Sequence, residues 1–471
     1  MNYLNKIINK NRLLDIRFWL LLFFLLRLFH ITNPPLEVSH NWRQTTVTMV
    51  ARNFYEVNPN ILYPRLDIGG DKTGITGMEF PVLNYLIYLT SLLFGYEHWY
   101  GRLINLIVST IGIWFFYKLI KKQFTEELAF TSAIVLLCSI WIVFSRKIMP
   151  DTFSTSFIIM GIYYAGLYFE SKRLVHLLCY ALFCLLGLLA KLPVGFLLIV
   201  LLLFVFHKTI ALRSKVFFLS ASLIILLPVA YWYFIWVPHL NQVFGFTHFF
   251  MGSALKDGAS EIFSHLFETG FNFFDSAVKY IGFVFFLIGL FFVYKKQDKV
   301  LAWIFGLSFL AFIIIMFKSG FAFYHHNYYI IPFVPVMALL CGYGLLQIKN
   351  VKWRYVFLIA ISLEGILNYQ DDLFIKEDDM AIYALEKDFD AISHKEDLVL
   401  MNSGNKPTPM YFAHRKGWVT FNDSIQNPVY IAKLKQKGLK FIVILKRSFG
   451  YEMELNYPVC VNNPYYTIYK L

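Results

Sequence analysis

Apolar runs near the ~20 residues that cross a ~30 Å hydrocarbon core recur along the first 370 positions. They stand at 18–31, 102–120, 127–144, 152–169, 174–190, 193–207, 216–236, 276–294, 300–317, 328–347 and 355–369. The pattern predicts a mainly α fold, a polytopic transmembrane helix bundle of about 11 spans. Several runs fall short of ~20 residues, so their boundaries are open by several positions and one hairpin can be re-entrant. Basic clusters at Lys121 and Lys122, Lys172 and Arg173, 208–215, 295–299 and 349–354 all fall at alternate ends of successive spans. The positive-inside rule makes that end cytoplasmic, and with it the N-terminus. Lys6, Lys10, Arg12 and Arg17 precede the first run, and no small-residue cleavage site follows it, so it reads as a retained helix rather than a signal peptide.

Three longer segments then face outward: 32–101, 237–275 and the stretch from about 370. The first holds two amphipathic pieces, 44–56 and 82–94, expected to lie as helices on the membrane surface. The third is rich in Asp, Glu and Lys over 371–397, after which strand-like runs at 398–401, 418–421 and 440–445 surround a helical stretch near 428–437. This predicts a small soluble α/β domain, and a division into a membrane domain, 1–369, and an extracytoplasmic domain, 370–471.

Composition agrees with a multi-pass chain of the plasma (inner) membrane. The 471 residues are 58% hydrophobic and 15% charged, against roughly 25% charged in soluble domains. The net charge of +13 is spread over the short loops that membrane topology requires, which argues against nucleic acid as a partner. Cys138, Cys179, Cys184 and Cys341 lie in apolar runs and leave Cys460 alone in a polar region, so neither disulfides nor cysteine metal sites are expected.

Ionisable residues are scarce inside the spans and gather at their outer ends, where candidate chemistry is therefore sought. The first outer loop supplies Glu37, His40, Arg43, Gln44, Asp67 and Glu79, and the outer end of the third run supplies Arg146, Lys147 and Asp151. A carboxylate just outside hydrocarbon can take the proton of an incoming hydroxyl, a role that suits Glu79 and Asp151. Both also stand where carboxylates simply cap helices. Arg43, Arg146, Lys147 and Lys191 can neutralise a phosphate, or can snorkel at the interface. Lys191, before Pro193, is the sharpest of these because topology asks for no positive charge on its side. His325 and His326, followed by Tyr328 and Tyr329, can contact phosphate or join Glu79 around a divalent cation in a weak site; the plain alternative is an interfacial aromatic belt.

Taken in order, these pieces resemble the C-type membrane glycosyltransferases, the family of dolichyl-phosphate-mannose protein mannosyltransferases and the lipid A aminoarabinose transferase. The resemblance covers roughly 15–350. It rests on Trp42-Arg43-Gln44 leading to Ala51-Arg52-Asn53, Glu79-Phe80-Pro81 leading to Leu93-Phe94-Gly95 and Gly101-Arg102-Leu103, then Met149-Pro150-Asp151, Lys191-Leu192-Pro193, and Tyr328 with Pro332 and Pro335. It implies a polyprenyl-phosphate sugar donor, inverting transfer to a hydroxyl or amine of a lipid, glycan or protein acceptor, and an acidic residue in the first outer loop. Where relatives carry an acidic pair at the head of the amphipathic helix, this chain has Arg43 and Gln44, and where many carry Lys after the Glu it has Phe80. The base must then come from Glu79 or Asp151, with His40 and Glu37 next. Arg43, Lys191, His325 and His326 are expected to stabilise the departing lipid phosphate, and Glu79, Asp151, Lys191 and His326 to line one cavity. Two other classes fit a polytopic basic chain: a lipid or glycan transporter or flippase, and a non-catalytic partner in envelope glycan assembly. Against the transporter, the two halves show no matching pair of Gly/Pro-broken helices.

Overall fold

The computed structural model describes residues 13–248 and 252–471. Lys6, Lys10 and Arg12 of the N-terminal basic cluster lie outside them. The chain forms two compact units, each assembled from separated stretches: 1–31, 102–232 and 250–370 in the first, and 32–101, 233–249 and 371–471 in the second. The break at 370/371 falls at the edge of the expected C-terminal domain, whereas 32–101 and 233–249 join that domain's unit rather than the helical one.

The first unit is helical. A helix stands at every one of the eleven apolar runs, but several are short or broken. Among the described residues five helices are long and apolar enough to cross a membrane: Tyr100–Gln123, Pro150–Ser171, Leu212–Phe244, Lys299–Ser319 and Asn327–Leu345. Leu266–Ala277 with Lys279–Lys295 makes a sixth if that pair, bent by 97°, is one span. Eleven full-length spans are thus not confirmed among the described residues, for local reasons. The first helix closes at Leu26, where Arg27 turns inward; Glu126–Cys138 is interrupted before Trp141–Phe144. The run after Lys191 begins as a 3₁₀ helix, Leu192–Leu201, with Pro193 in its first turn. Where Lys279–Lys295 crosses Val334–Leu345, Gly289 meets the Leu340 carbonyl and Gly344 the Phe285 carbonyl so closely that any side chain would collide.

The basic clusters share one end of this unit. Lys121 bonds Glu126 (2.5 Å), Lys122 pairs with Glu170, Lys296 bonds Gln347 (2.7 Å) and Arg354 pairs with Glu127.

The second unit is built on a five-stranded sheet of order β2-β1-β3-β5-β4. Its strands are β1 (Leu398–Met401), β2 (Gly417–Val419), β3 (Leu439–Leu445), β4 (Val459–Asn462) and β5 (Tyr466–Lys470). β2-β1-β3 is parallel, and β5 and β4 add antiparallel. β3 reads as a near-continuous apolar run because both faces are covered. On one, Leu400, Ile442 and Ile444 pack on Ile425, Ile431 and Leu434. On the other, Val399, Met401, Phe441 and Val443 join Met410 and Phe389, and also Leu36, Met49, Val50, Phe54 and Leu66 of the first outer segment. The helix expected at 44–56 is present as Asn41–Glu56, but every residue from Gln44 to Phe54 is buried. A helix enclosed on all sides has no face to lay on lipid, so the surface-lying expectation is corrected there. The second, Val82–Phe94, keeps Leu89, Leu92, Leu93 and Phe94 exposed and Leu83 and Ile87 buried.

Candidate active site

In the first unit, Pro150 opens the Pro150–Ser171 helix, where its missing N–H costs nothing, and Asp151 follows in the first turn, where the helix dipole favours a carboxylate. Lys191 closes the Leu174–Ala190 helix in extended backbone, φ −161° and ψ 102°. Its Nζ pairs with Asp151 Oδ1, and the two side chains are 7% and 1% exposed. The other carboxylate oxygen, Oδ2, is buried with no hydrogen-bond partner among the described residues. Lys191 Nζ also lies 5.0 Å from the Tyr328 ring centre and 5.3 Å from that of Tyr329. His326 stacks on Tyr328 at 5.3 Å, and His325 packs against His326 at 4.9 Å. Asp151, Lys191, Tyr328, His326 and His325 thus form one continuous cluster. Burying two opposite charges costs more than a surface pair returns, so the chain keeps a desolvated cation–carboxylate pair where an apolar pair would cost less.

The neighbouring arginines reach the chain that leaves the first helix. Arg146 donates to the carbonyls of Phe29 (2.6 Å) and His30 (3.0 Å), and Arg102 to that of Ile31 (3.2 Å). Together they satisfy the chain leaving the first helix. Asn105 spans the loop before Pro150: its Nδ2 donates to the Phe144 (2.9 Å) and Lys147 (2.8 Å) carbonyls, while its Oδ1 accepts from Thr152 Oγ1 (3.1 Å). The loop carrying Arg146 and Lys147 is thereby fixed to the turn carrying Asp151. Sequence gave no signal for Asn105 beyond a polar residue inside an apolar run.

In the second unit, Glu79 pairs with Arg43, the third residue of the Asn41–Glu56 helix; the side chains are 13% and 11% exposed. The strand of chain before Glu79 is pinned by Asn241, whose Oδ1 accepts from Gly77 N (2.8 Å), and by the His248 amide, which donates to Thr76 Oγ1 (3.3 Å). His248 was not singled out in sequence. Burial, and then the Arg43 charge, hold its imidazole down at about 4, with Glu79 pulling the other way; at neutral pH it is uncharged. Ser39 and His40 both take left-handed backbone, φ 63° and 61°, an uncommon conformation for such residues that concentrates at functional sites. The His40 carbonyl accepts from the Arg43 and Gln44 amides (3.0 and 3.2 Å), starting the helix. Glu37 and Gln44 are buried. Asp67, expected at the substrate, accepts from Arg52 at Oδ2 (3.0 Å) and from Asn53 at Oδ1 (2.8 Å). Of the residues considered for a weak cation site, Glu79 belongs to the second unit and His325 and His326 to the first. Among the described residues no group of three His, Cys, Asp or Glu is arranged to hold a metal ion.

Residues 78–234 match the family described as dolichyl-phosphate-mannose-protein mannosyltransferase. No curated protein sequence matches the chain. In fold it is similar to ArnT from Cupriavidus metallidurans bound to undecaprenyl phosphate, with TM-score 0.60 and 12% identity over 96% of this chain and 98% of that one. It is also similar to the same protein in the apo state, with TM-score 0.62 and 12% identity over 96% and 97% of the chains. The archaeal oligosaccharyltransferase AglB from Archaeoglobus fulgidus, in complex with an inhibitory peptide and a dolichol-phosphate, matches with TM-score 0.56 and 11% identity, over 91% of this chain and 69% of that one. At these identities the likeness is one of fold.

Proposed function

We propose that this multi-pass membrane protein, a C-type glycosyltransferase by its family match and fold, moves a sugar from a polyprenyl-phosphate carrier to a hydroxyl or amine acceptor at the end of the bundle opposite its basic clusters. The observation that carries the proposal is the buried Asp151–Lys191 pair under Tyr328 and Tyr329. Lys191 meets the carrier phosphate, Asp151 positions Lys191, and His326 with Tyr328 walls the same place. The lipid phosphates bound by the similar ArnT and AglB structures support a donor of this class.

Glu79 is the acceptor's base. It lies outside the spans, one oxygen is held by Arg43, and it is the less buried of the two carboxylates. The acceptor oxygen or nitrogen attacks the anomeric carbon as the carbon–oxygen bond to phosphate breaks; polyprenyl phosphate leaves with the bonding electrons and the acceptor proton passes to Glu79. The configuration inverts because a single displacement occurs. A phosphate needs charge neutralisation to depart, and the acceptor needs a base, which is why a cation and a carboxylate are both required.

Turnover with a lipid-linked sugar tests the division of roles. Glu79→Gln is expected to lower kcat by roughly 10²–10⁴-fold with donor binding kept. Lys191→Ala is expected to weaken donor binding by about 1.5–3 kcal/mol, the range of a charge-assisted contact. A folded Glu79→Gln protein that turns over normally while Asp151→Asn does not would transfer the base role to Asp151.

A further inference from the structure

The first unit contains a second place suited to a ligand, at its basic end. A cavity of about 560 Å³ opens there among the helices, within the ~300–1,000 Å³ usual for small-molecule pockets. Its walls are apolar rows at helical spacing: Phe116 and Ile120 on one helix, Ile159 and Ile162 on the next, and Val300 with Ile304 on a third. The polar lining is confined to one mouth, formed by Gln123, Glu170, His207 and Thr209. Glu170 is neutralised by Lys122. Lys208 stands between the lining residues His207 and Thr209, Lys299 directly precedes Val300, and both lysines are exposed. An apolar shaft whose polar mouth adjoins two exposed lysines in sequence is complementary to an apolar chain ending in an anion at the membrane surface. Asp151 and Lys191 lie at the opposite ends of their helices from this mouth, so the cavity is not the place where the carrier phosphate is proposed to bind.

We infer that this cavity holds an acyl chain of an anionic phospholipid from the leaflet at the basic end, with its phosphate beside Lys208 and Lys299. Basic pockets between membrane helices on the cytoplasmic side bind anionic head groups in this way. Such a lipid fills space between the Tyr100–Gln123, Pro150–Ser171 and Lys299–Ser319 helices and is a built-in part of the bundle.

The full-length protein reconstituted with phosphatidylglycerol, phosphatidylethanolamine and undecaprenyl phosphate, then extracted and examined by native mass spectrometry, tests this. One phosphatidylglycerol per chain is expected to survive washing that removes phosphatidylethanolamine. Ile162→Trp or Leu339→Trp, which fill the cavity, should lower its retention at least tenfold. Lys208→Glu with Lys299→Glu, at exposed positions that leave the core intact, should abolish the preference for the anionic lipid. Equal retention of both phospholipids, unchanged retention in the charge-reversed protein, or one-for-one displacement by undecaprenyl phosphate would overturn the assignment.

Discussion

The ionisable side chains of the candidate site come as pairs, Lys191 with Asp151 and Arg43 with Glu79, and pairing is what sequence could not supply. The residue types and their positions near the ends of apolar runs were legible, because charge is costly in hydrocarbon and survives there only with a reason. Which cation meets which carboxylate depends on segments brought together across 40 and 36 positions, and no local pattern encodes that. Asp67 shows the same limit: its carboxylate accepts from Arg52 and Asn53, partners that no local pattern announces. His248 supplies a test at this scale. Its folded value near 4 lies below the ordinary 6.5, so between those values the unfolded chain binds the extra proton. Its contribution to stability is complete above about pH 6.5 and lost as pH falls toward 4, with a slope of at most about 1.4 kcal/mol per pH unit. Melting of the wild type should therefore drop over that window, and His248→Gln should flatten the drop; identical profiles would show that His248 is not held uncharged beside Arg43 and Glu79.

At the scale of elements, apolar periodicity placed helices at all eleven runs, and it placed β1 and β3 to within a residue. It did not reveal lengths or breaks. Leu192–Leu201 and Asn327–Phe333 are 3₁₀, and Tyr231–Trp236 and Asn272–Ala277 are π-helical; apolar periodicity does not distinguish these from α-helix, and tertiary packing decides among them. β4 and β5 were also hidden, being short and, for β4, largely exposed. The least legible connection joins the first outer loop to the sheet. Gly70 N donates to the Gly417 carbonyl (2.7 Å) and Gly417 N to that of Asp67 (2.8 Å), which covers the free edge of β2. Gly70 sits at φ +64° directly against the Trp418 indole. Gly70→Ala should cost about 1–2 kcal/mol in backbone strain alone, and should displace Trp418 as well. Faster proteolysis within 67–75 and a shifted Trp418 emission are the expected readouts; an unchanged digestion rate would show that this edge contact is dispensable.

For the whole molecule, two predictions separate orientation from assembly. The clustering of Lys121, Lys122, Lys296 and Arg354 at one end of the first unit predicts by the positive-inside rule that this end faces the cytoplasm, so a reporter fused after Asp371 should read as extracytoplasmic, and a cytoplasmic signal would reverse the proposed face of catalysis. Assembly concerns the C-terminal residues, which resemble a separate domain in sequence because their composition changes abruptly near 370. Their sheet, however, shares one hydrophobic face with Leu36, Met49, Val50, Phe54 and Leu66, and Arg52 reaches the Tyr411 carbonyl (3.0 Å) while lying over its ring at 4.4 Å. Residues 371–471 expressed alone would leave that face, including Val399, Met401, Phe441 and Val443, against water. Exposed contiguous apolar surface of this kind drives association rather than a unique fold. The isolated fragment is therefore expected to bind a hydrophobic dye and to melt without cooperativity. The full chain should protect the β3 amides against hydrogen exchange, because there both faces of the strand are covered. A fragment that melts cooperatively with the same β3 protection as the full chain would show that the C-terminal residues fold independently, and that the first outer segment merely rests on a finished domain.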